Sequence, residues 1–224
     1  MDAGLYLRNY LETANERIYL RFFGTYMKRV VDFVLSALGL IVLSPLFFII
    51  AVIVSLTSPG PAFFRQFRIG RNGCSFKMLK FRTMTVLQDA EKGSFEAGSS
   101  ARVTRIGRVL RQTKLDELPQ LWNVLKGDMA LVGPRPEVRK WTLVYPERWA
   151  FVHKVRPGIT DPAAIAFRNE EDILAAASDP EKAYRLEVLP KKLDMYEMYV
   201  KTRSFSGDLK IICRTLYEVL NEIL

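Results

Sequence analysis

Two adjacent carboxylates, Asp116 and Glu117, stand in a basic stretch of the sequence, with Arg111 and Lys114 just before them. Neighbouring cations favour the ionised form of an aspartate. An ionised aspartate can attack phosphorus and form an acyl phosphate, and it can also hold Mg²⁺ together with substrate phosphates. The alternative is a solvated acidic pair on a helix surface, which the pair alone does not exclude. The hypothesis of phosphoryl chemistry therefore depends on the surrounding residues.

Cations elsewhere in the chain could bind the phosphates that such chemistry requires. Arg135 lies between Pro134 and Pro136, whose fixed φ angles restrict the loop and would aim the guanidinium at a phosphate. Lys80 and Arg82 are two residues apart in a predicted strand, so they would share a face. Surface lysines and loop arginines are ordinary, so each feature is weak by itself.

The basic charge of the chain is unevenly placed. The formal net charge is +9, and residues 58–115 carry twelve Lys or Arg against three Asp or Glu. Such a block attracts phosphates, nucleic acid or an anionic membrane surface. A solvated basic face is the other interpretation.

Several classes of site are disfavoured by the composition. Cys74 and Cys213 form no C-x-x-C pair and imply a reducing compartment. The one histidine, His153, is expected to be structural or exposed, so a zinc site is not expected. No glycine-rich nucleotide-binding fingerprint occurs in the sequence.

One long apolar run, Val30–Leu56, contains Asp32 as its only charged residue. At about 1.5 Å per residue, a helix of this length can cross a hydrocarbon core of about 30 Å. Ser44-Pro45 lies at its centre, where a proline removes a backbone hydrogen bond and bends or breaks the helix. The serine hydroxyl can bond a carbonyl that the proline leaves free.

Basic residues flank both ends of this run, and basic flanks prefer the cytoplasmic side of a membrane. Both ends could therefore lie on that side if the helix forms a shallow re-entrant hairpin. Each arm would have about 13 residues and a length of roughly 20 Å. From these residues alone, the spanning and re-entrant interpretations stay equally open.

The remaining segments predict mixed secondary structure. Extended segments at 63–71 and 76–84 flank the turn Asn72-Gly73. Helical periodicity runs through 103–125, and 141–155 and most of 172–224 also look helical. The predicted organisation is an amphipathic arm at 1–27, a membrane hairpin at 28–57 and a membrane-associated catalytic domain at 58–224.

The longer motifs resemble the monotopic phosphoglycosyl transferases, the bacterial sugar transferase family that starts polyprenyl-diphosphate-linked glycans. The chain is similar to the small form, which lacks the extra transmembrane helices of longer members. The match is dense from residue 27 to 160 and thin through 204–212. The matching segments are Lys28–Asp32, Ser44-Pro45, Lys80–Met84, Leu115–Met129, Leu131–Glu137 and Val155–Thr160.

The resemblance implies an α-rich α+β fold, with a broken re-entrant hairpin, short strands and amphipathic interfacial helices. It implies that Asp116 attacks the β-phosphate of a UDP-sugar, releases UMP and passes the sugar phosphate to polyprenyl (undecaprenyl) phosphate. Mg²⁺ would bind at Asp116, and Glu117 would position or deprotonate groups. Arg135 would hold phosphate, and the further substrate contacts would be Lys80, Arg82, Arg111, Arg156, Gln120 and Asn123, with Asp128 as a secondary candidate. The structural residues would be Ser44, Pro45, Pro134 and Pro136.

The implied partners are a UDP-sugar, polyprenyl phosphate and membrane lipid at the bacterial inner membrane, with the catalytic domain on the cytoplasmic face. The N-terminal arm and the C-terminal helix could pair two chains. After Thr160 the family commonly continues with Gly and then Gln three residues later, whereas this chain has Asp161-Pro162-Ala163-Ala164. The segment 161–190 therefore leaves the sugar open. An inactive membrane-anchored assembly protein is the alternative function, and a nucleic-acid binder lacks any recognised motif.

Overall fold

The computed structural model describes residues 24–85 and 102–223 of the 224-residue chain. The predicted arm at 1–27 lies almost wholly outside these residues. The first described elements are helices α1, Gly24–Val42, and α2, Ser44–Thr57, which bend by 62° at the break between them. No single described helix is long and apolar enough to cross a membrane, although this bent pair together meets that length and composition.

The predicted break at Ser44-Pro45 is confirmed, and its hydrogen bonding explains it. Pro45 lies in the first turn of α2 and has no N–H to donate to the carbonyl of Ile41, four residues earlier. The Ser44 hydroxyl donates to that carbonyl instead, at 2.7 Å. The serine therefore satisfies the acceptor that the proline leaves without its helical partner.

The two helices keep much of their apolar surface exposed. Only a narrow face of α2 is covered, where Ile50 and Val54 pack against Phe81 and Leu110. The large apolar side chains of the pair that remain at least half exposed are Leu38, Ile41, Val42, Phe48, Ile49 and Leu56. Contiguous apolar surface of this kind marks contact with a membrane or a partner rather than with water.

The β-hairpin predicted around the turn Asn72-Gly73 is confirmed. Strands β1, Phe63–Ile69, and β2, Ser75–Phe81, pair antiparallel, with Phe63 opposite Phe81. A 3₁₀ turn at Arg71–Gly73 joins them. Asn72 and Gly73 both have positive φ angles, of 57° and 75°, the backbone conformation that these two residue types adopt most readily.

The continuous helix expected over 103–125 is wrong. The chain forms α3 at Arg105–Gln112, a 3₁₀ turn at Leu115–Glu117 and α4 at Gln120–Lys126. Lys114 adopts a left-handed backbone with φ of 57°, which ends the first helix. The two helices bury their apolar residues in different clusters. Leu110 of α3 packs with Val54 and Phe81, whereas Val124 of α4 packs with Met78 and Met129.

A second, parallel pair of short strands follows. Strand β3, Ala130–Val132, pairs with β4, Gly158–Thr160. A Cβ on Gly158 would lie 2.1 Å from the backbone nitrogen of Gly133, so this close approach requires glycine. The Gly158 N–H also donates to the Pro134 carbonyl at 3.1 Å. These contacts fix the loop that begins at Gly133.

The rest of the described chain is mainly helical, as predicted for 141–155 and most of 172–224. Residues 141–155 form parts of two short helices instead of one, and the helix at Pro162–Ala166 was not predicted. Their central core contains Trp141, Trp149, Leu189, Leu193 and Tyr196. The helices are α5 Arg139–Thr142, α6 Pro146–Val152, α7 Pro162–Ala166, α8 Glu170–Ala175, α9 Pro180–Ala183, a π-helical turn at Tyr184–Val188, α10 Leu189–Thr202 and α11 Phe205–Ile223.

Polar contacts hold the start of α1 against α4, β3 and α11. Lys28 forms an ion pair with Asp208 on α11. Arg29 donates to the carbonyls of Val124 and Leu125 at the end of α4, at 2.6 and 2.9 Å. Asp32 accepts from the backbone N–H of Leu131 at 3.3 Å. The bent helix pair is thereby held at a fixed position relative to α4 and β3.

Candidate active site

Asp116 lies at the centre of the 3₁₀ turn and is only 6% exposed. The left-handed Lys114 turns the chain inward before it, and Pro119 then starts α4. The Oδ1 atom of Asp116 is buried and has no hydrogen-bond partner among the residues that the structure describes. A buried carboxylate oxygen without a hydrogen-bond partner destabilises the fold, so its presence indicates that a ligand, an ion or a reaction uses this oxygen.

The electrostatics of Asp116 differ from the simple expectation of a stabilised carboxylate. Burial is the largest influence and raises the pKa of Asp116 above its usual value. The positive charge of Lys80 opposes this rise, and the negative charge of Glu117 adds to it. Lys114 and Arg111 also oppose the rise, as their positions in the sequence suggested. Asp116 is therefore a poorly solvated carboxylate held beside several cations, a setting that favours attack on an electrophile.

Glu117 has the opposite environment. Its Oε1 atom accepts from the Lys80 ammonium at 2.7 Å. Arg135 donates to both carboxylate oxygens, to Oε2 at 3.1 Å and to Oε1 in a shorter contact. Burial would raise the pKa of Glu117, but the charges of Arg135 and Lys80 outweigh it and hold the pKa well below its usual range. Glu117 is thus ionised and its two oxygens are already occupied.

Three separate elements supply this group. Lys80 comes from β2, Glu117 from the 3₁₀ turn and Arg135 from the loop after β3. The Pro136 carbonyl on that loop accepts from the Arg68 guanidinium at 3.3 Å. With the Gly158–Pro134 hydrogen bond, this contact holds the loop from both sides, so the guanidinium of Arg135 is held in place before any substrate arrives.

A magnesium ion fits Asp116 better than Glu117. The described residues contain no group of three or more His, Cys, Asp and Glu side chains that could enclose a metal. Magnesium needs no such cage, since it commonly takes one or two carboxylates together with substrate phosphates and water. The unpartnered oxygen of Asp116 provides such a carboxylate, whereas the oxygens of Glu117 are bound by cations.

Two residues predicted to bind substrate make structural contacts. The Arg82 guanidinium donates to the carbonyls of Ser58 and Pro59, at the end of α2, with the first contact at 2.8 Å. Asn123 accepts from the Leu79 N–H at 3.0 Å and donates to the Lys77 carbonyl at 2.8 Å. Arg82 therefore caps α2, and Asn123 joins α4 to β2. The Nε atom of Arg82 is buried and has no hydrogen-bond partner among the described residues. A contact of Arg82 or Asn123 with substrate stays a prediction.

The other candidates lie around the site with mixed roles. Arg111 donates to the Thr83 hydroxyl at 3.0 Å, and Arg156 donates to the Gly127 carbonyl at 2.9 Å. Gln120 is 1% exposed, and its Nε2 atom has no partner within the described segments. The structure therefore leaves a polar atom of Gln120 available, in the turn that follows Asp116.

A buried polar group behind Arg135 was missed by the sequence reasoning. Asp161 caps α7, accepting from the N–H groups of Ala163 and Ala164 at 2.6 and 3.0 Å through Oδ1. Its Oδ2 and the Tyr196 hydroxyl are both buried and lack a partner in the described part of the chain. Asp161-Pro162 is a typical helix start, which was the available signal.

Residues 23–222 match the family model of the bacterial sugar transferases. A UDP-glucose:undecaprenyl-phosphate glucose-1-phosphate transferase of Klebsiella pneumoniae is 40% identical over 195 residues, which are 85% of this chain and 39% of that protein. One of the same name from Caulobacter vibrioides is 38% identical over 197 residues, 86% of this chain and 69% of the relative.

A further relative is closer to this chain in length. The uncharacterized sugar transferase EpsL of Bacillus subtilis is 40% identical over 194 residues, which are 87% of both chains. By contrast, the chain spans only about 40% of the length of the Klebsiella relative and of the Escherichia coli protein of the same name. The family match covers most of the chain and includes every residue of the site described above, so the chain belongs to the bacterial sugar transferase family.

Proposed function

We propose that this protein transfers a sugar 1-phosphate from a UDP-sugar to polyprenyl phosphate, giving a polyprenyl-diphosphate sugar and UMP. The observation that carries the proposal is the buried, unpartnered oxygen of Asp116 beside a fixed group of Glu117, Lys80 and Arg135. The Klebsiella, Escherichia and Caulobacter relatives are named for this reaction with glucose. An Aeromonas hydrophila relative is named for N-acetylgalactosamine, so the sugar is left open.

The proposed reaction has two displacements. The Asp116 carboxylate attacks the β-phosphorus, the bond from that phosphorus to the bridging oxygen breaks, and UMP leaves with the bonding electrons. The resulting aspartyl phosphosugar is then attacked by an oxygen of polyprenyl phosphate. That step forms the new diphosphate bond and releases the Asp116 carboxylate. Splitting the transfer in this way allows the nucleotide to leave before the lipid enters.

The neighbours of Asp116 prepare this chemistry. Glu117 holds both cations in place. It raises the pKa of Arg135, and it opposes the burial that lowers the pKa of Lys80. The low pKa of Glu117 itself suits a positioning role better than that of a base. Arg135 has five N–H groups, so it can hold a phosphate oxygen while it contacts Glu117. Mg²⁺ bound at Asp116 would supply positive charge to the diphosphate. We expect chelation of divalent ions to reduce UMP release strongly.

The bent helix pair supports a location at the cytoplasmic membrane. Its exposed apolar side chains would enter the lipid as a re-entrant hairpin, with the basic residues at both ends on the cytoplasmic side. To test this, Thr25→Cys and Thr57→Cys would each be introduced after replacing Cys74 and Cys213 by serine. An impermeant maleimide should label both positions from the same side. Labelling from opposite sides would refute the hairpin.

The reaction class is tested with a panel of UDP-sugars, undecaprenyl phosphate and Mg²⁺, with UMP release as the readout. One or a few sugars should give UMP together with a lipid-linked product. If no UDP-sugar reacts under conditions in which a relative is active, the transferase proposal fails. The inactive assembly protein would then be the remaining function.

The nucleophile is tested with Asp116→Asn. An amide cannot form the acyl phosphate, so we expect UMP release to fall by about 10³-fold or more. The covalent phosphosugar adduct should be missing from mass spectra of the protein mixed with UDP-sugar alone. The exposed Asp172→Asn provides a matched control and should keep both signals. Full activity in Asp116→Asn would overturn the assignment.

A further inference from the structure

A second cavity lies apart from the residues of the transferase site. It has a volume of about 380 Å³ and opens between the β1–β2 turn and helices α5 and α6. This volume is within the range of small-molecule sites. Its lining contains neither Asp116, Glu117, Lys80 nor Arg135. Its lining includes Asn72, Arg139, Leu143, Pro146, Trp149, His153 and Lys154.

The charge of this lining is of one sign. Arg139 and Lys154 contribute two cations at the exposed rim, and no Asp or Glu is present in the lining. Within the described ranges, the Arg139 guanidinium has neither a hydrogen bond nor an ion pair. Lys154 lies 4.9 Å from the ring centroid of Phe151. The opening therefore attracts anions and leaves a guanidinium fork available to bind one.

The wall of the cavity contains polar atoms that lack partners. The rings of Trp149 and His153 are stacked, with centroids 5.1 Å apart. Trp149 Nε1 and His153 Nε2 are both buried, and neither has a hydrogen-bond partner in the described segments. The His153 carbonyl accepts from the Asn72 N–H at 2.8 Å, which ties α6 to the hairpin turn. A backbone hydrogen bond thus fixes His153, while the side-chain nitrogens of Trp149 and His153 have no hydrogen-bond partner within the described segments. Buried polar atoms rarely lack such a partner.

We propose that this cavity is a binding site for an organic phosphate monoester, separate from the site of sugar-phosphate transfer. The guanidinium of Arg139 and the ammonium of Lys154 would hold the phosphate, which matches a guanidinium in geometry and charge. The volume exceeds what a phosphate alone needs, and Leu143 and Pro146 provide apolar contact for the organic part. The proposal does not depend on the transferase activity.

The site lies directly behind the loop that carries Arg135. A small inner cavity of about 10 Å³ is lined by Pro134 and Pro136, and it shares Trp149 and His153 with the larger cavity. This space is on the order of one water molecule. The wall between the proposed site and the Arg135 loop is therefore only one layer of side chains thick.

His153 provides a direct test because it is the single histidine of the chain. The full-length protein, labelled with ¹³C at histidine, would give one imidazole signal in detergent. Two phosphate monoesters would be titrated: glycerol 3-phosphate as a soluble source and dihexanoyl phosphatidic acid as a lipid source. Glycerol and dihexanoyl phosphatidylcholine are the matching compounds without a phosphate monoester. The proposal expects a saturable shift with one or both monoesters, and the arm that responds identifies the source.

Arg139→Gln should weaken this binding by about tenfold or more, since one charge-assisted contact is removed. The adjacent Lys140→Gln should leave the titration unchanged, because Lys140 pairs with Glu181 outside the cavity. Arg139 is exposed, so its replacement should not unfold the chain. The proposal is overturned if neither monoester gives a saturable shift, or if the shift is the same in Arg139→Gln.

Discussion

Glu117 and Asp161 are carboxylates close enough to Arg135 to affect its pKa, and their own pKa values move in opposite directions. Asp161 is fully buried, and the Glu117 side chain is 14% exposed. Glu117 touches two cations directly, and its pKa is held well below the usual range. Asp161 accepts two backbone N–H groups but contacts no described cation within hydrogen-bond distance. Burial is its largest influence and raises the pKa. Two hydrogen bonds from backbone N–H groups therefore do not offset the rise in pKa that burial causes, whereas two cations in direct contact with the carboxylate do.

The same contrast separates the two members of the Asp116–Glu117 pair. The pKa of Asp116 is raised mainly by burial, as at Asp161, and one of its oxygens has no described partner. Adjacent residues in one turn therefore have different tasks. Glu117 is satisfied and holds its cations, while Asp116 is unsatisfied and available for chemistry.

The largest effect on stability is expected for Glu117→Gln. Removing one member of a buried ion pair leaves the charges of Lys80 and Arg135 uncompensated, at a cost of about 3–5 kcal/mol. The folded pKa of Glu117 lies below its unfolded value. Its stabilising contribution is therefore present above the unfolded pKa and is lost as pH falls through the folded pKa. The difference in unfolding free energy between Glu117→Gln and wild type, measured with denaturant, should therefore shrink under acidic conditions. A difference that grows there would contradict the ion-pair assignment.

A smaller effect is expected for Arg135→Lys. Lysine keeps the charge but cannot donate to both oxygens of Glu117 in the planar geometry of a guanidinium. We expect a loss of about 1.5–3 kcal/mol in unfolding free energy, corresponding to a charge-assisted hydrogen bond. UMP release should fall as well. Unchanged stability would mean that the bidentate contact contributes nothing to the fold.

Asp161→Asn should act in the opposite sense to Glu117→Gln. The folded pKa of Asp161 is raised, so its contribution is fully present below the unfolded pKa and is lost as pH rises through the folded pKa. The asparagine oxygen can still cap α7. The variant should therefore gain stability relative to wild type between mildly acidic and neutral pH, by about 1 kcal/mol.

The chain contains a matched control for this variant. Asp179 also caps a helix that begins with a proline, accepting from the Lys182 N–H at 2.9 Å, but it is exposed. Asp179→Asn should lack the gain that burial gives to Asp161→Asn. Equal pH profiles for the two variants would show that burial does not control Asp161.

The smallest effect is expected for Glu181→Gln. Glu181 pairs with Lys140 at the surface, where both side chains are about half exposed. Pairs of this kind contribute only about 0–1 kcal/mol and are screened by salt. The free energy of unfolding should differ little between Glu181→Gln and wild type, at low salt and at high salt. A loss comparable with that of Glu117→Gln would break the distinction between buried and exposed pairs.

The sequence predicted the elements whose local signals are strong. The Ser44-Pro45 break, the hairpin around Asn72-Gly73 and the rigid loop at Arg135 each depend on residues whose backbone preferences act locally. The structure brings Lys80 and Arg135 together at Glu117, a pairing that the sequence did not predict. The predicted contact of both cations with phosphate stays a prediction. The predicted continuous helix failed because the left-handed backbone at Lys114 has no strong signal in a lysine.

Arg82 and Asn123 show why side-chain roles were harder to predict than elements. Both have residue types that bind phosphates or sugars elsewhere. Their partners here are backbone groups brought close by the folding of distant segments, such as the Ser58 carbonyl for Arg82 and the Leu79 N–H for Asn123. A residue type fixes what a side chain can bind, but the partner depends on packing.

The order of amino acids sets the chemical groups of this protein: the carboxylate pair, the basic residues of the chain, and an apolar helix that breaks at a proline. The different roles of Asp116 and Glu117 depend on the fold. Lys80 and Arg135 lie 37 and 18 residues from Glu117 along the chain, and folding brings both to that carboxylate. Asp116 is buried beside them with an oxygen left unpartnered. Burial and charge contact set the pKa of each carboxylate, and both depend on distances in space that the order of residues does not contain.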